Sequence, residues 1–89
     1  MYQLEIEERA RRALKRLPGH MRQRVARAID ALRYNPRPAR AKALQHELTG
    51  YWRIRIADYR VIYTIVEEVV LVTVVKVAQR DQNTYADLV

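Results

Sequence analysis

The sequence of 89 residues lacks several residue types, and each absence narrows the chemistry available to the protein. There is no cysteine, so disulfides and thiolate chemistry are excluded, and a reducing cytoplasm is the simplest location. The histidines, His20 and His46, are far apart and lack the spacing of metal ligands. The glycines, Gly19 and Gly50, stand alone and form no glycine-rich phosphate loop. We therefore expect neither a metal site nor a cofactor.

Long apolar runs are also missing. The longest, VVLVTVV at 69–75, is far shorter than the roughly 20 residues that a membrane-spanning helix needs. The first ten residues, MYQLEIEERA, lack the basic and apolar segments of a signal peptide. Hydrophobic residues nevertheless make up 49% of the chain, which suits a packed core and argues against disorder. We expect one small domain over residues 1–89, outside any membrane.

Positive charge is in excess and unevenly distributed. The net charge is +7, and residues 1–50 carry all of it, with 12 Lys or Arg against 5 Asp or Glu. Residues 51–89 hold 5 of each sign and are neutral in total. A basic balance favours nucleic acid, an anionic membrane surface or an acidic protein as partner. The alternative is an arginine-rich, solvated surface without a partner.

Two helical patterns follow a short strand-like segment, Tyr2–Ile6. Apolar residues recur at helical spacing over 6–17 and again over 21–32, with Pro18-Gly19 between them. This spacing predicts a helical hairpin. Its outer faces carry many cations, among them Arg11, Arg12, Lys15, Arg22 and Arg27.

Three strand signals occupy the second half of the chain, after a surface connection at 36–50. They cover 51–57, 59–67 and 69–78, and Glu67-Glu68 is the expected turn between the last two. The order is β-α-α-β-β-β with a short C-terminal tail or helix. This order predicts an α+β fold, in which the helical hairpin packs on one face of a small antiparallel β-sheet.

The run YWRIRIADYRVIYTI, residues 51–65, alternates apolar residues with arginines. Side chains alternate between the faces of a strand, so Arg53 and Arg55 share the face that the apolar residues leave. Arg60 is expected on that face too, with Arg80 at the end of the last strand and Tyr85 beyond it. Guanidinium groups bind phosphate oxygens with bidentate geometry and stabilise charge that grows on a phosphorane-like transition state. The pattern predicts a phosphate-binding cluster.

Two longer segments, LQHELTGYWRIRIADYRVIYTI and VVKVAQRDQNTY, together with the two-helix opening, resemble the RelE/ParE superfamily of bacterial toxins. The resemblance covers nearly the whole chain in order and in length. RelE-type members are ribosome-dependent endoribonucleases that cut mRNA in the ribosomal A site, whereas ParE-type members poison DNA gyrase and lack the basic catalytic set. The positions of that set hold Arg53, Arg55, Arg60, Arg80 and Tyr85, so the resemblance favours the RelE branch.

The resemblance implies a metal-independent reaction, in which a ribose 2′-OH attacks the adjacent phosphate. Arg60 and Arg80 would hold the scissile phosphate, Arg53 and Arg55 would position the backbone, and Tyr85 would orient a base or the 2′-OH. The implied partners are a RelB-like antitoxin, the 70S ribosome and mRNA, and the toxin–antitoxin complex would bind operator DNA through the antitoxin. The helical cations expected to contact RNA or the ribosome are Arg11, Arg12, Lys15, Arg22 and Arg27.

Two departures from the family pattern leave the general base open. The second-strand pair is arginine, where lysine is familiar, and arginine does not lose its proton at neutral pH. The YoeB-like branch uses a glutamate and a C-terminal histidine, whose places are taken by Lys42 and Arg80. Tyr85 and His46 remain candidate bases. Two alternatives also remain: a gyrase inhibitor without nuclease activity, and a nucleic-acid-binding module that cleaves nothing.

Overall fold

The computed structural model describes residues 1–80 and 84–88, which form two helices and a five-stranded sheet. This arrangement confirms the predicted α+β class and element order, and adds one short strand within the 36–50 connection. Within the described residues, no helix is long and apolar enough to cross a membrane. The elements are β1 Gln3–Ile6, α1 Glu8–Lys15, α2 Gly19–Ala31, β2 Lys42–Ala43, β3 Tyr51–Ile56, β4 Tyr59–Val66 and β5 Leu71–Gln79, with 3-10 turns at His46–Leu48, Glu67–Val69 and Ala86–Leu88.

Pro18 separates the two helices as the sequence predicts. It precedes α2 with φ −52°, a value that its ring enforces, and its carbonyl accepts the N–H of Arg22 at 2.8 Å. Proline has no N–H, so Pro18 itself adds no unpaired donor at this helix start. The apolar stripes of both helices point into the core, where the buried members are Ala10, Val25, Ala28, Ile29 and Leu32.

The sheet has the strand order β1-β5-β4-β3-β2. The pairs β2–β3, β3–β4 and β4–β5 are antiparallel, as expected, but β1 pairs with β5 in parallel. The sheet is therefore mixed. The helical hairpin and the 36–50 connection carry the chain to the far edge of the sheet before β3, so β5 returns beside β1 in the same direction.

One face of the sheet packs against the helices and forms the core. The residues of β3, β4 and β5 that face this core include Ile54, Ile56, Val61, Val74 and Val77, all buried. Tyr63 joins them, and its hydroxyl donates to the carbonyl of Pro36 at 2.7 Å. Burial raises the pKa of Tyr63 to about 12. This hydrogen bond ties the start of the 36–50 connection to the core.

A β-bulge resets the alternation of β5. Ile62 pairs with Lys76, but the next residue, Tyr63, pairs with Val74, so Val75 is an extra residue on β5. Under strict alternation Lys76 would share the helix-covered face with Val74. The bulge instead lets Val74 and Val77 both face the core, and it moves Lys76 to the opposite face.

Candidate active site

Arginines from neighbouring strands lie on the sheet face that the helices leave uncovered. On β3, Arg53 and Arg55 alternate with the buried Ile54 and Ile56, and Arg60 of β4 lies directly opposite Arg55. The Cβ atoms of directly opposed residues are about 4.5–5.5 Å apart. We call this surface, defined by Arg53, Arg55 and Arg60, the arginine face. It lies where the sequence predicted it.

Arg80 comes to the same region at the end of β5. Its backbone N–H donates to the carbonyl of Asp58, in the β3–β4 turn, at 2.7 Å. The pKa of Arg55 is lowered chiefly by Arg53, then by burial, Arg60 and Arg80. A guanidinium whose pKa is lowered by three other arginines lies within a concentration of like charge. The structure thus brings all four predicted arginines together.

The positive charge of this cluster has no carboxylate partner among residues 1–80 and 84–88. None of the four arginines forms an ion pair there, and the Nε atoms of Arg53 and Arg60 are buried without a hydrogen-bond partner. Like charges held side by side repel, and a bound polyanion would relieve that repulsion. Five of the thirteen other lysines and arginines do form ion pairs among the described residues, namely Arg9, Arg12, Arg33, Arg37 and Lys76.

Tyr85 contacts the cluster across 25 residues of sequence. Its hydroxyl accepts a hydrogen bond from Nη1 of Arg60 at 3.0 Å, and the guanidinium of Arg60 lies 5.8 Å from the centre of the ring. A tyrosine hydroxyl that accepts one hydrogen bond can still donate its own proton. The five residues predicted as catalytic therefore share one surface, while their individual roles remain predictions.

The sequence reasoning missed how the C-terminal tail is attached. One carboxylate oxygen of Asp87 accepts from Nζ of Lys76 and the other from Nη1 of Arg9, each at 2.7 Å. Lys76 is the main cause of the lowered pKa of Asp87, and Arg9 contributes. Among the described residues, Lys76 is therefore paired, unlike the four arginines that are the other cations of residues 51–89. No local pattern could have revealed this cluster, because its members come from three distant segments.

Lys42 is a second residue whose place only the structure shows. It lies on β2 directly opposite Arg53, so it extends the arginine face towards the edge of the sheet. His46, the other candidate base, lies in an exposed turn with φ 58°. No described side-chain contact joins His46 to the arginine cluster. The described residues enclose no pocket, so the candidate site is an open surface.

The helical cations form a second basic surface on the other side of the molecule. The five predicted residues are all exposed, and the helices that carry them cover the opposite face of the sheet. Arg12 also forms an ion pair with Glu8 at 3.2 Å, so a neighbouring negative charge partly offsets its positive charge. Contact with RNA or the ribosome remains a prediction for all five of these helical cations: Arg11, Arg12, Lys15, Arg22 and Arg27.

A family model described as the ParE toxin of type II toxin–antitoxin systems, parDE, matches residues 4–84. The chain therefore belongs to this family of toxins, within the RelE/ParE superfamily. No curated protein sequence matches the chain closely enough to count as a relative.

Solved structures place the fold with RelE-type toxins. The RelBE2 toxin–antitoxin complex of Mycobacterium tuberculosis matches at 30% identity and a TM-score of 0.79, over 89% of this chain and 98% of that chain. The archaeal RelE–RelB complex of Pyrococcus horikoshii matches at 29% identity and a TM-score of 0.79, over 91% of this chain and 97% of that chain. The isolated RelE toxin of E. coli shares the fold, with 22% identity and a TM-score of 0.77 over 99% of this chain and 95% of that chain. The resemblance to the RelE branch is confirmed.

Proposed function

We propose that this toxin is a ribosome-dependent endoribonuclease that cuts mRNA in the A site and so stops translation. The observation that carries the proposal is the arginine cluster, in which four guanidinium groups lack a carboxylate among the described residues. RNA carries one negative charge per nucleotide, and arginine matches phosphate oxygens with its fork of donors. Tyr85 adds a hydroxyl at hydrogen-bond distance from the cluster.

The reaction that suits this surface needs no metal. The 2′-OH of a ribose loses its proton and attacks the adjacent phosphorus, and the bond from phosphorus to the 5′ oxygen breaks. The leaving oxygen takes up a proton, which yields a cyclic phosphate and a 5′-OH. Negative charge grows on the non-bridging oxygens meanwhile. Arg60 and Arg80 would stabilise that charge, and Arg53 and Arg55 would bind neighbouring phosphates.

Proton transfer is the weaker part of this site, because arginine is a poor general base. Tyr85 is the candidate base that touches the cluster, and His46 lies in a separate turn. An open face also positions a flexible RNA poorly by itself. The ribosome would supply that positioning, and effective molarity from correct orientation can contribute several powers of ten in rate.

The proposed partners follow from the same charge distribution. A RelB-like antitoxin would neutralise the toxin by laying an acidic or amphipathic helix over the basic surface. The M. tuberculosis and P. horikoshii relatives are toxin–antitoxin complexes, which supports this partner. The complex would bind operator DNA through the antitoxin, and the toxin would act on ribosomes in the cytoplasm, with the helical cations as a docking surface.

The test is single-turnover cleavage of mRNA on saturated ribosomes. Arg80→Ala should slow cleavage by about 10²–10³, the usual effect of losing one preorganised donor at a transition state, with ribosome binding largely intact. Arg24→Ala, which removes an equal charge from the exposed surface of α2, is the matched control. If Arg80→Ala cuts at nearly the native rate, the phosphate-holding role is wrong and the arginine belongs only to a docking surface.

DNA gyrase inhibition is the second candidate function, and the match to the ParE family model favours it. Gyrase-linked DNA breaks without any cut mRNA would establish it. Induction in bacteria gives the same distinction, because a gyrase poison stops DNA synthesis first and an mRNA nuclease stops protein synthesis first. Binding to duplex without either activity would instead support a simple nucleic-acid-binding module.

A further inference from the structure

The C-terminal tail, residues 84–88, is attached by polar contacts to the side of the sheet that carries the arginines. Asp87 is its main attachment, since its two oxygens bind Lys76 of β5 and Arg9 of α1 at 2.7 Å each. Arg9 is itself held by a second hydrogen bond, from Nε to the carbonyl of Val75 at 2.8 Å. Val75 is the bulge residue of β5, and the bulge also places Lys76 on this side.

Tyr85 lies between two attachments of the tail. Before it, Thr84 is buried and its hydroxyl donates to the carbonyl of Gln79 at 3.5 Å. After it comes the Asp87 ion-pair cluster. Ala86 is exposed and Leu88 is only half-buried, so apolar burial is incomplete here and the Asp87 ion pairs contribute to holding this part of the tail. The position of the Tyr85 hydroxyl, 3.0 Å from Arg60, therefore depends on charged contacts made two residues further along the chain.

We propose that Asp87 is a positioning residue of this toxin, which by binding Arg9 and Lys76 together holds Tyr85 against Arg60 at the site of phosphate chemistry. The inference rests on the proposed nuclease function. Asp87 acts through Tyr85 and needs no contact with RNA. The Lys76 side chain is only 18% exposed, so its pair with Asp87 is partly shielded from water and is the stronger of the two.

The same contacts predict a loss of activity that kinetics and the thermal midpoint together distinguish from a loss of structure. Asp87→Asn removes one negative charge and leaves two cations, Arg9 and Lys76, without their shared partner. Affinity for RNA should therefore stay the same or rise. Tyr85 loses its support, so the chemical step should slow. We expect kcat to fall about tenfold, as a modest misplacement of a catalytic group would cause, while KM is unchanged or lower and the thermal midpoint stays native. Partial unfolding would instead reduce the active fraction, leave KM unchanged and lower the thermal midpoint.

The experiment compares purified variants on mRNA-programmed ribosomes. Asp87→Glu keeps the carboxylate and should recover most of kcat, and all variants should share the native thermal midpoint within a few degrees. Asp30→Asn is the control, because Asp30 is also an exposed aspartate that faces an arginine, Arg33, at 3.7 Å. Its kcat and KM should be native. A native kcat for Asp87→Asn, or no recovery with Asp87→Glu, would overturn the proposal.

A double-mutant cycle tests whether Asp87 works through Tyr85. Tyr85→Phe removes the hydroxyl that Arg60 binds, so adding Asp87→Asn to it should cause little further loss. If Asp87→Asn costs the full tenfold in both backgrounds, the two residues act independently and the positioning role is wrong.

Nuclear magnetic resonance of the isolated toxin separates this inference from the nuclease proposal. In Asp87→Asn, the ring signals of Tyr85 and the Nε–H signal of Arg60 should move towards those of a released tail, while Asp30→Asn leaves them in place. Unchanged signals in Asp87→Asn would refute the attachment, whatever the nuclease result. A released tail in a protein whose native form never cuts mRNA would overturn the nuclease function and the importance of Asp87 to it, and would leave the attachment itself supported.

Discussion

The buried hydroxyl of Tyr63 offers the sharpest test of the fold. Tyr63→Phe keeps the ring in the core but removes the hydroxyl, which donates a 2.7 Å hydrogen bond to the carbonyl of Pro36. Both residues are buried. A net hydrogen bond contributes about 0.5–1.5 kcal/mol, and a buried group left unpaired costs about 1–3 kcal/mol. We expect a loss of about 1.5 kcal/mol in the free energy of unfolding. For a chain of this size that lowers the thermal midpoint by roughly 6–12 °C.

The same residue predicts an alkaline loss of stability. Burial raises the pKa of Tyr63 to about 12, against an unfolded value of about 10. Because the folded pKa is the higher one, the contribution is fully present below about pH 10 and is lost as the pH rises through about 12. Native protein should lose on the order of 2 kcal/mol across this window, and Tyr63→Phe should lack that part of the loss.

Chemical denaturation at several pH values, followed by the fluorescence of Trp52, measures both effects. Trp52 is the only tryptophan and lies opposite Tyr63 in the sheet. Tyr34→Phe is the control, because Tyr34 is 70% exposed. The free energy of unfolding of this variant should stay within about 0.5 kcal/mol of the native value. The reasoning is refuted if Tyr63→Phe matches native stability at pH 8 and still shows the full alkaline loss.

Three further changes test other parts of the structure. Ala57→Gly should raise the free energy of unfolding, measured by urea titration, by about 0.5 kcal/mol. Ala57 has φ 53°, a backbone region that costs a residue with a side chain about 1–2 kcal/mol and costs glycine little. A less stable variant would argue against strain at this position. Arg37 and Tyr2 lower the pKa of Glu67, so its contribution is present above about pH 4.3 and is lost as the pH falls through the folded value. Glu67→Gln should therefore show weaker acid destabilisation in thermal melts between pH 6 and 3, and an unchanged acid profile would contradict this. Arg12→Ala should weaken ribosome association slightly and leave the single-turnover rate at saturation native; a slowed chemical step would place this helical residue in the reaction.

The sequence by itself determined the helices, the main strands and, for β3 and β4, the side of the sheet that each residue occupies. These features follow from local periods, 3.6 residues for a helix and two for a strand, which the backbone imposes on any chain. The alternation of Arg53 and Arg55 with Ile54 and Ile56 was sufficient to predict an arginine face. The resemblance to a known family then indicated which of the many arginines belong to the candidate site.

Only the tertiary structure decided how these pieces meet. It set Arg55 opposite Arg60, placed β1 parallel to β5, and inserted the bulge at Val75 that turns Lys76 to the other face. It also joined Lys76 to Arg9 and Asp87, which no sequence pattern linked. Register, strand order and tail attachment depend on contacts between distant segments, and local periods do not specify which distant segments meet.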